Sequence, residues 1–92
     1  PQVGVEELDG SERIVDVRSP EEYNRGHIPG ALNLPLDELR PRLAELSREQ
    51  PLVVYCQVGL RGYLALRILL QRGYRVRNLA GGFKTYQLYH HD

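Results

Sequence analysis

The chain contains 92 residues, of which 41% are hydrophobic and 26% are charged, and lysine plus arginine equal aspartate plus glutamate in number. This length suits one hydrophobic core and excludes a two-domain arrangement. The balanced charge does not favour nucleic-acid or membrane partners, and neither an apolar run of roughly 18 residues nor a signal-peptide pattern is visible. We therefore expect one cytoplasmic domain over residues 1–92.

Strand and helix signals alternate from the start of the chain. An edge strand is predicted near residues 3–5, and a clearer apolar strand at residues 14–17. Residues 19–22 then combine an N-cap serine, a proline at the first helical position and a capping-box acid. They predict a short helix that reaches about Arg25 and stops at Gly26.

The middle of the chain carries two strand signals and one helical spacing. A short strand is predicted at residues 31–34, and a helix follows because leucines recur at helical spacing, with Pro41 tolerated near its start. These leucines are Leu36, Leu39, Leu43 and Leu46. Residues 52–55, LVVY, form a continuous apolar run, which is typical of a strand buried on both faces of a parallel sheet.

The last third of the chain predicts a helix at residues 61–72, a strand at 76–79 and a short helix that contains Phe83 and Tyr86, followed by a tail with His90 and His91. The predicted core face of the first of these helices consists of Gly62, Ala65, Leu66, Leu69 and Leu70. This alternation predicts an α/β domain with a parallel sheet of about five strands and helices on both faces.

The only cysteine, Cys56, follows the strand at 52–55 and begins a short loop. One cysteine forms no internal disulfide and no multi-thiolate zinc site, so we expect no metal. Ligand sites of parallel sheets lie beyond the carboxyl ends of the strands, where Cys56 falls. Gly59 permits a tight loop, and the helix that begins near Arg61 would direct its free amides at the sulfur. The pattern favours a thiolate nucleophile in an anion-binding loop over an inert buried cysteine.

Three separated motifs carry a resemblance to a known family. Residues 56–61, CQVGLR, resemble the active-site loop of the rhodanese family. Residues 16–31, with DVR, EY and GHIPGA, resemble its amino-terminal signature, and residues 79–82, LAGG, resemble its closing stretch. The resemblance implies a single rhodanese-like domain and a sulfurtransferase, in which Cys56 takes sulfane sulfur from thiosulfate or polysulfide, holds it as a persulfide and passes it to a thiol.

The same resemblance implies roles for the loop, whose amides would stabilise the persulfide anion. The loop residues are Gln57, Val58, Gly59, Leu60 and Arg61. The side chain of Arg61 has two open roles, as a contact to a bound anion or as an anchor for the loop. Asp16 and Arg18 are expected to pair or anchor loops, although Arg18 is also a candidate contact to an anionic substrate. His27 is expected to bond its own turn, with catalysis the less favoured role.

A finer resemblance comes from residues 56–69, CQVGLRGYLALRIL, and 81–86, GGFKTY. They resemble the carboxyl-terminal rhodanese domain of coenzyme A disulfide reductases. This implies a domain excised from a longer protein, with coenzyme A persulfide as a further donor. It implies no cofactor in this domain, because FAD and NAD(P)H would belong to a fused reductase module. Leu64 and Ile68 lie off the predicted core face. They are either scattered surface apolar residues, which are common, or the docking surface for that module.

Two other function classes stay open. A binding or regulatory module of the same fold without turnover is the first alternative. The related cell-cycle phosphatases and arsenate reductases are the second, but their cysteine-to-arginine loop is one residue longer. Only four residues separate Cys56 from Arg61 here, and a tighter ring of amides favours a single sulfur atom over a tetrahedral oxyanion.

Overall fold

The computed structural model describes residues 2–90, which form five strands, three α-helices and three single 3-10 turns. The strands are β1 (Gln2–Val3), β2 (Arg13–Asp16), β3 (Leu32–Asn33), β4 (Leu52–Tyr55) and β5 (Val76–Leu79). The helices are α1 (Pro20–Arg25), α2 (Leu60–Gln71) and α3 (Gly82–His90). The 3-10 turns are Val5–Glu7, Leu36–Glu38 and Leu43–Glu45.

The strands form one sheet in the order β1-β5-β4-β2-β3, and every neighbouring pair is parallel. All carboxyl ends therefore meet at one edge of the sheet. That edge contains Asp16 at the end of β2, Cys56 after β4, and Gly82 shortly after β5. The predicted α/β domain with a five-stranded parallel sheet is confirmed.

The side chains of β4 alternate between two hydrophobic clusters, one on each face of the sheet. Leu52, Val54 and Cys56 pack on the face that α2 covers. Val53 and Tyr55 pack on the opposite face, where α3 contributes Phe83. All four residues of β4 are buried, as expected for a strand that is covered on both faces. Cys56 thus belongs to the α2 side of the sheet.

The predicted helix with leucines at residues 36–46 is wrong. The segment forms two separate 3-10 turns, Leu36–Glu38 and Leu43–Glu45. Pro41 explains the break, because proline lacks an N–H and disfavours helical geometry in the residue before it. Leu39 and Leu46 are nevertheless buried against the α2 side of the sheet. The leucine spacing identified core positions but not a continuous helix.

Two smaller expectations also need correction. Leu70, predicted on the core face of α2, is 44% exposed because it lies at the margin of the buried stripe. His90, predicted in a tail, is the last residue of α3 and stacks on Tyr86 with 4.3 Å between ring centroids. His91 lies outside the described residues. Within residues 2–90, no helix has the length and apolar character needed to cross a membrane.

Candidate active site

Cys56 lies directly after β4, and its residue surface is only 1% exposed. The backbone N–H of Gly59 donates a hydrogen bond to its Sγ at 3.1 Å. Gly59 has φ +147° and ψ −29°, a combination that L side chains rarely adopt, and it is the N-cap of α2. The loop therefore directs one backbone dipole at the sulfur from the amino terminus of a twelve-residue helix.

The first turn of α3 holds the back of the loop. The N–H of Phe83 donates to the carbonyl of Cys56 at 2.8 Å, and the N–H of Lys84 donates to the carbonyl of Gln57 at 3.1 Å. In a trans peptide the next N–H points opposite to the carbonyl. The N–H groups of Gln57 and Val58 therefore face away from α3, and the carbonyls of Cys56 and Gln57 do not compete with an anion held on the other side.

Gly82 makes this attachment sterically feasible. A Cβ at this position would overlap the carbonyl of Cys56 and lie 2.7 Å from the carbonyl oxygen of Gln57. From the sequence, the Gly81-Gly82 pair could either line the cysteine loop or form an ordinary turn, and the structure brings Gly82 against the loop. The signal for this approach was its position directly after a strand that ends at the same edge of the sheet as Cys56.

Arg61 anchors the other end of the loop. Its Nη1 and Nη2 donate to the two carboxylate oxygens of Glu22 at 2.7 and 2.9 Å. Glu22 also accepts from the N–H of Ser19 at 3.0 Å, which completes the predicted capping box of α1. The hydrogen bonds from Arg61 lower the pKa of Glu22 from its ordinary 4.5 to about 2. Of the two roles that the sequence left open for Arg61, these contacts correspond to the anchor.

Asp16 and Arg18 form a buried ion pair beneath the loop. Arg18 is 2% exposed and binds Asp16 through Nε at 3.0 Å and Nη2 at 2.8 Å. Its Nη1 donates to Oε1 of Gln57 at 3.1 Å, and Nη2 donates to the carbonyl of Gly26 at 2.7 Å. Burial alone would lower the pKa of Arg18, but the hydrogen bonds and charge of Asp16 outweigh it and raise that pKa. The guanidinium therefore binds Asp16, Gln57 of the loop and the carbonyl of Gly26.

Tyr55, the last residue of β4, extends this network. Its hydroxyl donates to Oδ2 of Asp16 at 2.7 Å and accepts from the N–H of Ile28 at 3.1 Å. Burial, and next the hydrogen bond to Asp16, raise the pKa of the Tyr55 phenol well above its ordinary value. The hydroxyl of Tyr55 thus joins Asp16, at the end of β2, to the turn after α1.

His27 lies in that turn and contacts α1. Its Nδ1 is 2.8 Å from the carbonyl of Tyr23, and its ring stacks on the ring of Tyr23 with 3.6 Å between centroids. These contacts fit the expected turn-bonding role. The contacts of His27 lie on the α1 side of the turn.

Apolar side chains of the loop and of the adjoining part of α2 are exposed to solvent. Val58 and Leu60 are 62% and 70% exposed. Leu64 and Ile68 line a groove of about 800 Å³ between α2 and the Leu36–Glu38 turn, and Arg61 also lines it. Ile68 is only partly free, because it also packs against the α2-side core. The docking of a partner module at these two residues stays a prediction.

The residues of the described part of the chain include no cluster of three or more histidine, cysteine, aspartate or glutamate side chains that could hold a metal ion. What the loop does offer is a buried thiol at the end of a central strand, an amide directed at it and carbonyls turned away from it. Such an arrangement can stabilise one negative charge on, or attached to, the sulfur.

Comparison with known proteins identifies relatives of the chain. The family model that matches is the rhodanese-like domain, over residues 4–88. A sulfurtransferase of Allochromatium vinosum is 44% identical over 70 residues, which are 75% of this chain and 65% of that protein. The human thiosulfate:glutathione sulfurtransferase is 39% identical over an alignment of 106 positions, which covers 94% of this chain and 92% of that protein.

Among solved structures, the reduced CoADR-RHD protein of Bacillus anthracis is similar with a TM-score of 0.88 and 43% identity. The match covers 94% of this chain and 16% of that one. The chain therefore spans just under two thirds of the Allochromatium relative and about one sixth of the Bacillus protein.

Proposed function

The chain belongs to the rhodanese family, and from this premise we propose that it transfers sulfane sulfur that Cys56 carries as a persulfide. The observation that carries the proposal is the position of Sγ. It lies at the carboxyl end of β4, within 3.1 Å of an amide at the amino terminus of α2. A helix amino terminus stabilises a neighbouring thiolate, which is the reactive form.

Two displacement steps account for the transfer. The Cys56 thiolate attacks the outer sulfur of the donor, a new S–S bond forms, and the donor's own S–S bond breaks. Sulfite leaves from thiosulfate, and a thiolate leaves from an organic persulfide, in each case with the electron pair. An acceptor thiolate then attacks the outer sulfur of the Cys56 persulfide, takes that sulfur and releases the Cys56 thiolate. The cycle involves no net oxidation.

The loop amides supply the stabilisation in both steps. The persulfide places negative charge one atom beyond Sγ, in the region that the amides of Gln57, Val58 and Gly59 border. Fixed backbone dipoles stabilise such a charge without reorganisation during the reaction. The proposed chemistry uses no metal and no organic cofactor from this domain.

The commitment of Arg61 to Glu22 supports sulfur transfer over phosphatase or arsenate reductase chemistry. Those reactions need a cation for the bound oxyanion, and here the guanidinium of Arg61 already binds a carboxylate through two hydrogen bonds. The short loop supports the same choice. Small anionic donors and thiol acceptors are the proposed substrates.

The likeness to the Bacillus CoADR-RHD protein supports the proposal that this domain is part of a longer protein. In the proposed setting this domain follows a flavin-dependent coenzyme A disulfide or persulfide reductase module, and Cys56 exchanges sulfur with a coenzyme A persulfide. FAD and NAD(P)H would bind to that module. Its docking surface would include Leu64 and Ile68.

Sulfur loading followed by mass measurement tests the proposed activity. We expect incubation with polysulfide or thiosulfate to add the mass of one sulfur atom to the intact protein, and cyanide to remove it. Cys56→Ser abolishes the nucleophile and should gain no sulfur. A Cys56→Ser protein that still gained sulfur would contradict the assignment, whereas a wild-type protein inert to both donors would favour the non-catalytic binding module.

A further inference from the structure

A buried side-chain oxygen lies next to the cysteine loop without a hydrogen-bond partner. Asn78, on β5, is 4% exposed, and its Oδ1 is the single buried side-chain polar atom among residues 2–90 that makes no hydrogen bond. Leaving a buried acceptor unsatisfied is unfavourable, so such an atom calls for an explanation. An apolar side chain would fill this position of β5 without that cost.

Asn78 packs against the first turn of α2 at Gly62. A Cβ built on Gly62 would lie 2.5 Å from Oδ1 of Asn78 and 3.5 Å from the backbone nitrogen of Cys56. The first distance is shorter than any real carbon contact, so only the hydrogen of glycine fits between the helix and the amide. The first turn of α2 therefore rests directly on Asn78.

This contact lies close to the groups that determine the distance between the Cys56 sulfur and the amides of α2. Gly62 is the third residue of the helix whose N-cap, Gly59, donates its N–H to Sγ of Cys56. Asn78 pairs in parallel register with Val54, two residues before Cys56 on the adjacent strand. The sheet holds both Asn78 and the start of the cysteine loop, while α2 lies on top of them. The thickness of the layer between sheet and helix thus sets how far the helix amides lie from the sulfur.

We propose that Gly62 and Asn78 form a spacer beneath the first turn of α2, which sets the distance between that turn and the Cys56 sulfur. Both are then positioning residues for sulfur transfer. The role of these residues in sulfur transfer rests on the proposed function. The effect of the spacer on the Cys56 sulfur can be measured without any sulfur donor. The spacer also explains the unsatisfied oxygen, because a bulkier or differently shaped apolar side chain at position 78 would change the height of the helix.

Gly62→Ala tests the spacer, because its methyl group must displace α2 or Asn78. The reaction of Cys56 with iodoacetamide is followed from about pH 6 to about pH 9, since alkylation reports the thiolate. We expect a rate at neutral pH about fivefold lower than in the wild type, with the profile moved to higher pH, because the helix amino terminus has moved away from the anion. Alanine favours the helix over glycine, so helix propensity predicts no such loss.

Rescue by a second substitution makes the test specific. Gly62→Ala combined with Asn78→Ala removes the atom that the new methyl group meets, and the alkylation profile should return to within about twofold of that of the wild type. If Gly62→Ala does not fold, Asn78→Gln, which lengthens the spacer from the sheet side, should give the same shift. Leu70→Ala, at an exposed position of the same helix, is the control and should leave the profile unchanged.

A Gly62→Ala protein with the wild-type profile would overturn the spacer, and so would a folded double variant that stays as slow as the single one. These outcomes are independent of the proposed activity, because iodoacetamide needs neither a sulfur donor nor an acceptor. Failure of sulfur loading in the wild-type protein, with a rescued alkylation profile in the double variant, would remove the proposed function and leave the spacer intact.

Discussion

The two ends of the cysteine loop are held by different kinds of interaction. At the α3 end, the N–H groups of Phe83 and Lys84 bind the carbonyls of Cys56 and Gln57. At the α1 end, the side chain of Arg61 binds the carboxylate of Glu22. The first attachment depends on the shape of the backbone, and the second depends on charge.

This difference predicts which substitutions each end of the cysteine loop tolerates. The backbone attachment is insensitive to most side chains but requires the space that Gly82 leaves. The ion pair requires two specific side chains, which are 38% and 25% exposed, so water and salt screen it and its contribution is about 1 kcal/mol. We expect the loop to lose its function more completely through loss of the α3 attachment than through loss of the ion pair.

Gly82→Ala should have the largest effect, because it opposes the backbone attachment directly. The new methyl group meets the carbonyls of Cys56 and Gln57, and φ is +65°. We expect a loss of about 2 kcal/mol or more in the free energy of unfolding, together with loss of sulfur loading, measured by urea denaturation and intact mass.

Gly30→Ala is the matched control for that substitution. Gly30 has φ +82°, and a methyl group there meets no atom within 4 Å. It therefore reports backbone strain alone, roughly 1 kcal/mol, and should leave sulfur loading unchanged. Equal losses in the two variants would mean that the contact between α3 and the loop is unimportant.

Glu22→Gln should have a smaller effect, because it weakens only the charged attachment. The amide oxygen can still accept from Ser19, so α1 keeps its cap while Arg61 loses its counter-charge. We expect a loss of about 1 kcal/mol in stability and a few-fold slower sulfur loading. Glu45→Gln removes an exposed ion pair with Arg42 far along the chain and is the control. A Glu22 variant that loads sulfur as fast as the Glu45 variant would show that the ion pair does not position the loop.

The pH dependence of the free energy of unfolding should isolate the contribution of the ion pair at the α1 end of the loop. The pKa of Glu22 is lowered from 4.5 to about 2 by Arg61 in the folded protein. Its contribution to stability is therefore fully present above about pH 4.5 and is lost as the pH falls towards 2. We expect the stability difference between wild type and Glu22→Gln to stay constant from about pH 8 to about pH 5 and then to shrink, measured by urea denaturation at each pH. A difference that changed mainly above pH 5 would assign the effect to another group.

Elements with local signals were predicted closely from the sequence. The apolar run at 52–55 and the strand at 76–79 have the predicted bounds, and the capping box places α1 at Pro20–Arg25. The segment at 36–46 was predicted wrongly because spacing alone does not measure the effect of Pro41. Local chemistry determines caps and buried strands, and these are visible in a single sequence.

The attachments of the loop were less predictable because they join distant parts of the chain. The bonds from Arg61 to Glu22, from Tyr55 to Asp16 and from Arg18 to Gln57 each span 39 residues. The pairing of Asp16 with Arg18 was anticipated, but Glu22 was recognised only as a capping residue. No property of Gly62 or Asn78 taken alone indicates that their atoms approach the cysteine loop. Those roles arise only when the sheet brings the strand ends together.

The sheet of residues 2–90 has a further consequence at its margins. Its two outer strands, β1 and β3, are each only two residues long, while the inner strands have four. Short outer strands offer few free backbone groups to a second chain, and proteins use this device against edge-to-edge aggregation. A domain built in this way can meet other proteins repeatedly without joining their β-sheets.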